Sequence, residues 1–149
     1  MAMNAEIYIV DDCPDQHFLL YQIIKQLPES YSVKFFEDGK ILHRHLGTLS
    51  MQGQHDKFPK LIILDLNMPG MSGLQLLKLI KKPALESHEQ LRAIPVVVMS
   101  SDIREDRIIK CYQEGADAYI IKSMEFDKVK STMQSICRFW LGREVQPAE

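Results

Sequence analysis

Five polar residues stand at the ends of apolar runs, and they carry the chemistry this chain could perform. Asp11 and Asp12 follow Ile7-Tyr8-Ile9-Val10, Asp65 follows Leu61-Ile62-Ile63-Leu64, Ser100 follows Val96-Val97-Val98-Met99, and Lys122 follows Tyr119-Ile120-Ile121. Taken singly, Asp11 and Asp12 cap a helix and Asp65 opens a turn. Taken together, three carboxylates converging on one edge repel one another unless a cation joins them. An all-oxygen donor set that leaves room for water and a phosphoryl oxygen suits Mg²⁺. The pattern therefore points to a Mg²⁺-dependent phosphoryl site. Asp65 is its nucleophile, Mg²⁺ and Lys122 neutralise the phosphoryl oxygens, and Ser100 donates a hydrogen bond to one of them. No general base is needed, because a carboxylate is already ionised near neutral pH.

The elements that must position these groups are legible as alternating periods. Short apolar runs at Ile7 to Val10, Ser32 to Phe36, Leu61 to Leu64, Val96 to Met99 and Ala118 to Ile121 alternate with segments of helical period. Such alternation marks βα units and a parallel sheet. Strand one neighbouring strand three would converge Asp11, Asp12 and Asp65 at the carboxyl edge, where open α/β sheets bind ligands. The first helix follows Asp12 as cap and Pro14 in its first turn, presents Phe18, Leu19, Ile23, Ile24 and Leu27 to the core, and closes at Pro28. The second starts at Glu37-Asp38-Gly39 and carries Ile41, Leu42, Leu46 and Leu49. The third carries Leu74, Leu76, Leu77 and Ile80 and stops at Pro83. The fourth runs from Ile103 to about Glu114, before Gly115. The fifth, from about Glu125, carries Val129, Met133, Ile136, Trp140 and Leu141, and the tail Val145 to Glu149 is expected to fray. Polar stretches at Ser50 to Lys60 and Ala84 to Ala93 read as peripheral surface loops with room for a helical turn.

Composition narrows the class. A chain of 149 residues, 46% hydrophobic, suits one domain with its own core, and a formal charge of −2 gives no basic surface for unaided nucleic-acid or anionic-membrane binding. No basic segment followed by an apolar one opens the chain, and no run approaches the roughly 20 apolar residues of a membrane span. The expected location is the cytoplasm. Cys13, Cys111 and Cys137 lie far apart without a CxxC pair, and His43 and His45 diverge at i, i+2, so neither a zinc site nor a disulfide framework is indicated.

Together, the acidic pair after strand one, Asp65 before Leu66-Asn67-Met68-Pro69-Gly70-Met71-Ser72-Gly73, Ser100, Tyr119 and Lys122 closely resemble the receiver domain of two-component response regulators. The resemblance spans about residues 5 to 141, and the chain is expected to be a single domain, 1–149, with no output domain. It implies a flavodoxin-like, doubly wound α/β fold with five helices around a five-stranded parallel sheet in the order 2-1-3-4-5. It also implies phosphotransfer to Asp65 from a histidine kinase or histidine phosphotransfer protein. Asp12, Asp65 and the Asn67 backbone carbonyl would then hold Mg²⁺ directly, with Asp11 assisting through water. The protein would catalyse only its own phosphorylation and dephosphorylation, and is not otherwise expected to be an enzyme.

In that family Ser100 and Tyr119 would form a switch that reshapes the face made by the fourth helix, fifth strand and fifth helix, through which a downstream protein is contacted. Met124, Phe126 and Trp140 are candidates for a partner surface, and a homodimer is compatible with the resemblance. Asn67 and Asp102 are the positions expected to tune the lifetime of the phosphoryl group. A second reading is a degenerate receiver acting as a phosphorylation-independent adaptor or dimerisation module, against which the complete set of site residues argues. A third is a phosphatase of the haloacid-dehalogenase type, but such enzymes usually carry an Asp where this chain has Asn67. One departure from the family is Ser123, which replaces the proline that usually follows the active-site lysine, often through a cis bond. A cis bond to serine costs about 3–4 kcal/mol instead of roughly 0.5–1 at proline. The departure predicts either a cis Lys122–Ser123 bond or a trans bond with Lys122 displaced from Asp65.

Overall fold

The computed structural model describes residues 6–142. In chain order the elements are β1 (Ile7–Val10), α1 (Pro14–Lys25), β2 (Val33–Phe36), α2 (Gly39–Met51), β3 (Leu61–Leu64), α3 (Gly73–Lys81), β4 (Val96–Ser100), α4 (Glu105–Gln113), β5 (Ala118–Ile121) and α5 (Phe126–Leu141), with 3₁₀ helices at His55–Lys57 and Glu86–Ala93. The expected tail at Val145 to Glu149 lies outside the described residues.

All strand pairs are parallel, and the sheet order is β2-β1-β3-β4-β5. Strand alternation divides the core into two layers. Ile7, Ile9, Ile63, Val97 and Met99 face α1 and α5, where they meet Leu20, Ile23, Val129, Met133 and Ile136. Tyr8, Val10, Ile62, Leu64, Val96 and Val98 face the opposite layer, with Leu42 and Leu46 of α2, Leu76, Leu77 and Ile80 of α3 and Cys111 of α4. Because β1, β3 and β4 are covered on both faces, every one of their residues is buried, which explains their unbroken apolar runs.

Several local expectations need correction. Phe18 and Ile41 point to solvent, at 67% and 55% exposure, because each lies just outside the arc its helix turns to the sheet. Helix α4 begins at Glu105, leaving Ile103 exposed in the preceding loop. The N-cap of α1 is Cys13, which makes no side-chain cap bond, so Asp12 does not cap this helix. The segment before β4 is more than a surface loop: within Glu86–Ala93, Leu91 is buried in the core layer with α2 and α3, and His88 is buried beside His43. As expected, His43 and His45 diverge; His45 Nε2 meets the Tyr8 hydroxyl at 3.0 Å.

Candidate functional site

The register of four strands builds the site. Val10 pairs with Leu64, so Asp11 and Asp65 leave the sheet side by side at its carboxyl edge, and the Asp65 N–H continues the ladder onto the Val10 carbonyl at 3.0 Å. Next along, Ser100 ends β4 opposite Ile121, and the Lys122 N–H donates to the Ser100 carbonyl at 2.8 Å. Order β1-β3-β4-β5 thereby brings Asp11, Asp12, Asp65, Ser100 and Lys122 to one edge, as the sequence predicted.

The descent from Asp65 into α3 depends on glycine. A Cβ on Gly73 would stand 2.2 Å from the Asp65 carbonyl oxygen, so only a bare backbone lets the first turn of α3 lie against the β3 exit. The Gly73 N–H donates to the Leu66 carbonyl at 2.9 Å, and a reciprocal capping box between Ser72 and Gln75 fixes the helix start. Gly70, at φ 77°, supplies the left-handed residue of the loop. This loop leaves Asp65 buried and Asn67 exposed beside it.

Asp11, Asp12 and Asp65 each bring a carboxylate oxygen within 4.8 Å of the others. Asp11 and Asp65 are buried, and Asp12 is exposed. Lys122 Nζ lies 3.1 Å from Asp11 Oδ2 and 3.6 Å from Asp65 Oδ1. Asp11 Oδ1 accepts the Cys13 N–H at 2.9 Å, so both of its oxygens are engaged. Burial pushes the Asp65 carboxyl above its ordinary value; Lys122 opposes that rise, and Asp11 adds to it. One ammonium therefore faces three carboxylates, a surplus of negative charge that a hard divalent cation with oxygen preference would balance. The donor set fits Mg²⁺.

The Lys122–Ser123 expectation is overturned in both forms. No cis peptide bond occurs among the described residues, yet Lys122 already stands beside Asp65. The physical reason is that the trans backbone continues from β5 through the Lys122 bond to Ser100, the long lysine stem reaches back over the edge, and Ser123 Oγ accepts the Glu125 N–H at 3.1 Å to start the turn into α5.

Ser100 is fully buried, and its Oγ accepts the Asp102 N–H at 3.1 Å. The Tyr119 hydroxyl donates to the Asp102 carbonyl at 2.6 Å, and the Tyr119 N–H donates to the Tyr112 hydroxyl of α4 at 3.0 Å. The Asp102 carboxylate, expected beside the path of attacking water, is engaged by Arg104 and Arg107 instead. Sequence reasoning missed these arginines. Their only signal was the pattern Asp102-Ile103-Arg104, an acidic residue two places before a basic one in a loop. It also missed His17, whose Nε2 bonds the Asp11 carbonyl while its ring stacks on Phe35 at 4.9 Å.

Comparison with known proteins agrees with this geometry. Residues 7–134 match the response regulator receiver domain family. The probable methanogenesis regulatory protein FilR2 of Methanothrix harundinacea is 29% identical over 141 residues, covering 95% of this chain and 86% of that protein. The phosphorylated cyanobacterial phytochrome response regulator RcpA superposes with a TM-score of 0.75 at 27% identity, covering 98% of this chain and all of that one. The Mn²⁺-bound form of response regulator Rcp1 superposes with a TM-score of 0.74 at 28% identity over 97% of this chain and 99% of that one; Rcp1 is from Synechocystis sp..

Proposed function

Since this chain belongs to the response regulator receiver domain family, we propose that it is a phosphorylation-dependent signalling switch whose acceptor is Asp65. The observation that carries this reading is the charge imbalance at the sheet edge: three carboxylates converge on one lysine, and the most enclosed of the strand-end acids, Asp11 and Asp65, share that lysine. In transfer from a phosphohistidine, an Asp65 carboxylate oxygen forms the new P–O bond as the P–N bond breaks. The electron pair leaves with the imidazole, which regains its proton from solvent. Lys122 balances charge on the phosphoryl oxygens, and Ser100 donates its hydroxyl hydrogen to one of them.

Asp12, Asp65 and the Asn67 carbonyl would hold Mg²⁺ directly, while Asp11, with both oxygens engaged, would act through water. When bound, the ion supplies Lewis-acid neutralisation of phosphoryl charge. The presence of Mn²⁺ in the similar Rcp1 structure supports a divalent site. The donor is read as a histidine kinase or histidine phosphotransfer protein acting in the cytoplasm. Tyr112 on α4, Ile121 on β5 and Phe126 at the start of α5 are exposed, as are Ile103 in the loop before α4 and Met124 in the loop before α5, which supports that face as the output surface for a downstream protein or a second copy. Among the described residues no helix is long and apolar enough to cross a membrane.

Intact-protein mass spectrometry after incubation with acetyl phosphate and Mg²⁺ tests the reading. One phosphoryl adduct is expected, absent from Asp65→Asn and absent with EDTA. An adduct that persists in Asp65→Asn would displace Asp65 as acceptor. No adduct under any donor, cognate kinase included, would favour a phosphorylation-independent adaptor.

A further inference from the structure

One residue of the β4–α4 loop touches both members of the switch and is itself tied down from the far side. Asp102 uses its N–H on Ser100 Oγ, its carbonyl on the Tyr119 hydroxyl, and its carboxylate on two arginines. Arg104 binds that carboxylate in a fork, Nε to Oδ1 at 3.0 Å and Nη2 to Oδ2 at 2.7 Å, and the Arg104 N–H adds a third bond at 3.0 Å. Arg107 Nε stands 3.6 Å from Oδ2, buried and without a hydrogen-bond partner of its own. It is placed to take over if Arg104 lets go. Arg104 holds the Asp102 carboxyl down at about 2, so the pair stays ionised across the whole range in which the protein would work.

The consequence follows from connectivity, and it rests on the receiver reading above. For Ser100 Oγ to approach a phosphoryl group on Asp65, it must either leave the Asp102 N–H or carry the Asp102 peptide with it. The peptide cannot follow freely while a bidentate ion pair anchors its side chain to the start of α4. Any movement of the peptide also moves the acceptor of the Tyr119 hydroxyl. We propose that the Asp102, Arg104 and Arg107 ion pair is a latch that holds Ser100 and Tyr119 in their resting arrangement, making Arg104 and Arg107 positioning residues that set how readily the switch is thrown.

Breaking the latch should therefore tighten binding of a phosphoryl mimic. For a pair whose arginine faces solvent while its carboxylate is largely covered, the expected gain is about twofold to fivefold. The test compares wild type, Arg104→Gln, the double variant Arg104→Gln/Arg107→Gln and, as a remote control, Arg138→Gln. Arg138, on α5, contacts Glu29 in the loop after α1 and has no part in the site. Two measurements are made on each full-length protein. In the absence of metal and mimic, NMR reads hydrogen exchange at the Asp102 amide and the Tyr119 ring resonances. Beryllofluoride with Mg²⁺ is then titrated in.

The latch predicts a less protected Asp102 amide and shifted Tyr119 resonances in Arg104→Gln. It also predicts tighter beryllofluoride binding, a larger effect in the double variant, and no change in Arg138→Gln. A protected amide and unshifted tyrosine in the double variant would overturn the latch. So would a loosened amide with wild-type beryllofluoride affinity, since the ion pair would then be merely structural. A wild type that binds no beryllofluoride sinks the receiver reading and this inference with it, and that failure is recognisable because it appears without any substitution.

Discussion

Two lysines face carboxylates at opposite ends of the same sheet, and they have opposite surroundings. At the amino ends of the strands, Lys81 Nζ meets Asp117 Oδ2 at 2.9 Å, the Arg92 carbonyl at 3.1 Å and the Ile94 carbonyl at 2.6 Å. Three donors thus have three acceptors. Asp117 Oδ2 in turn accepts the Val96 N–H at 2.8 Å, tying α3, the 3₁₀ segment and the start of β4 to the approach to β5. At the carboxyl ends, Lys122 is shared between Asp11 and Asp65, with Asp12 close by and uncompensated. Each arrangement also has its glycine. Gly115 lets the Lys81 stem pass, since a Cβ there would stand 2.8 Å from Lys81 Cβ, and Gly73 lets α3 begin against the Asp65 peptide. A satisfied charge holds a fold together. An unsatisfied one invites a ligand, at some cost to the fold until the ligand arrives.

The contrast is broken most forcefully at the satisfied end. Lys81→Met keeps the stem but strands Asp117 and two carbonyls. The expected loss is about 3 kcal/mol, read as a lower denaturation midpoint in urea at unchanged slope. Under native conditions the same variant should still take a phosphoryl adduct from acetyl phosphate, because the two clusters share no residue. If Lys81→Met proved as stable as wild type, the amino-end cluster would not be the clamp its geometry describes.

At the other end, adding a ligand should do what adding a partner does at the first. Mg²⁺ at about 100 times its Kd is expected to raise unfolding free energy by about 2.7 kcal/mol, seen as a higher melting temperature that depends on ion concentration. Asp12→Asn should abolish most of that gain while leaving the metal-free stability nearly unchanged, because Asp12 is exposed. A melting temperature indifferent to Mg²⁺ would mean that the three carboxylates are tolerated without a cation.

The two ends also differ in how well the sequence announced them. Asp11, Asp65, Ser100 and Lys122 were legible because each ends or directly follows a strand, and strand ends are fixed by unbroken apolar runs such as Leu61 to Leu64. Strand order followed from the motif, and the structure bears it out. Lys81 and Asp117 were not legible. A lysine in the last turn of a helix ordinarily points to water, and nothing local signals a partner 36 residues later. The Asp102 latch was obscured for a related reason: the carboxylate's position suggested a role toward the phosphoryl group, whereas the arginines that claim it come from the next helix start. Phe18 and Ile41 failed differently, since helical period places an apolar residue near the buried arc without deciding which side of its boundary it occupies.

The smallest expected effect comes from removing a buried charge at the carboxyl end without adding a ligand. Burial is the main reason the Asp65 carboxyl is raised above its ordinary value, so the folded protein holds that proton more tightly than the unfolded chain does. Below the unfolded value of about 3.9 both states are protonated and Asp65 costs nothing. As pH climbs from there through the raised folded value, the unfolded chain ionises first and stability is lost; above it the loss is complete. Asp65→Asn cannot ionise and escapes this penalty. In metal-free buffer it should therefore be more stable than wild type at pH 7, by less than the gain Mg²⁺ gives, with the two stability curves converging as pH falls below about 4. The corresponding change at the amino end, Asp117→Asn, should destabilise at neutral pH, because there the carboxylate oxygen Oδ2 both pairs with Lys81 and accepts the Val96 N–H. If Asp65→Asn were instead less stable at pH 7 without metal, the acidic edge would be a stabilising cluster like its counterpart, and the surplus charge read as an invitation to a phosphoryl group and its cation would already be balanced within the chain.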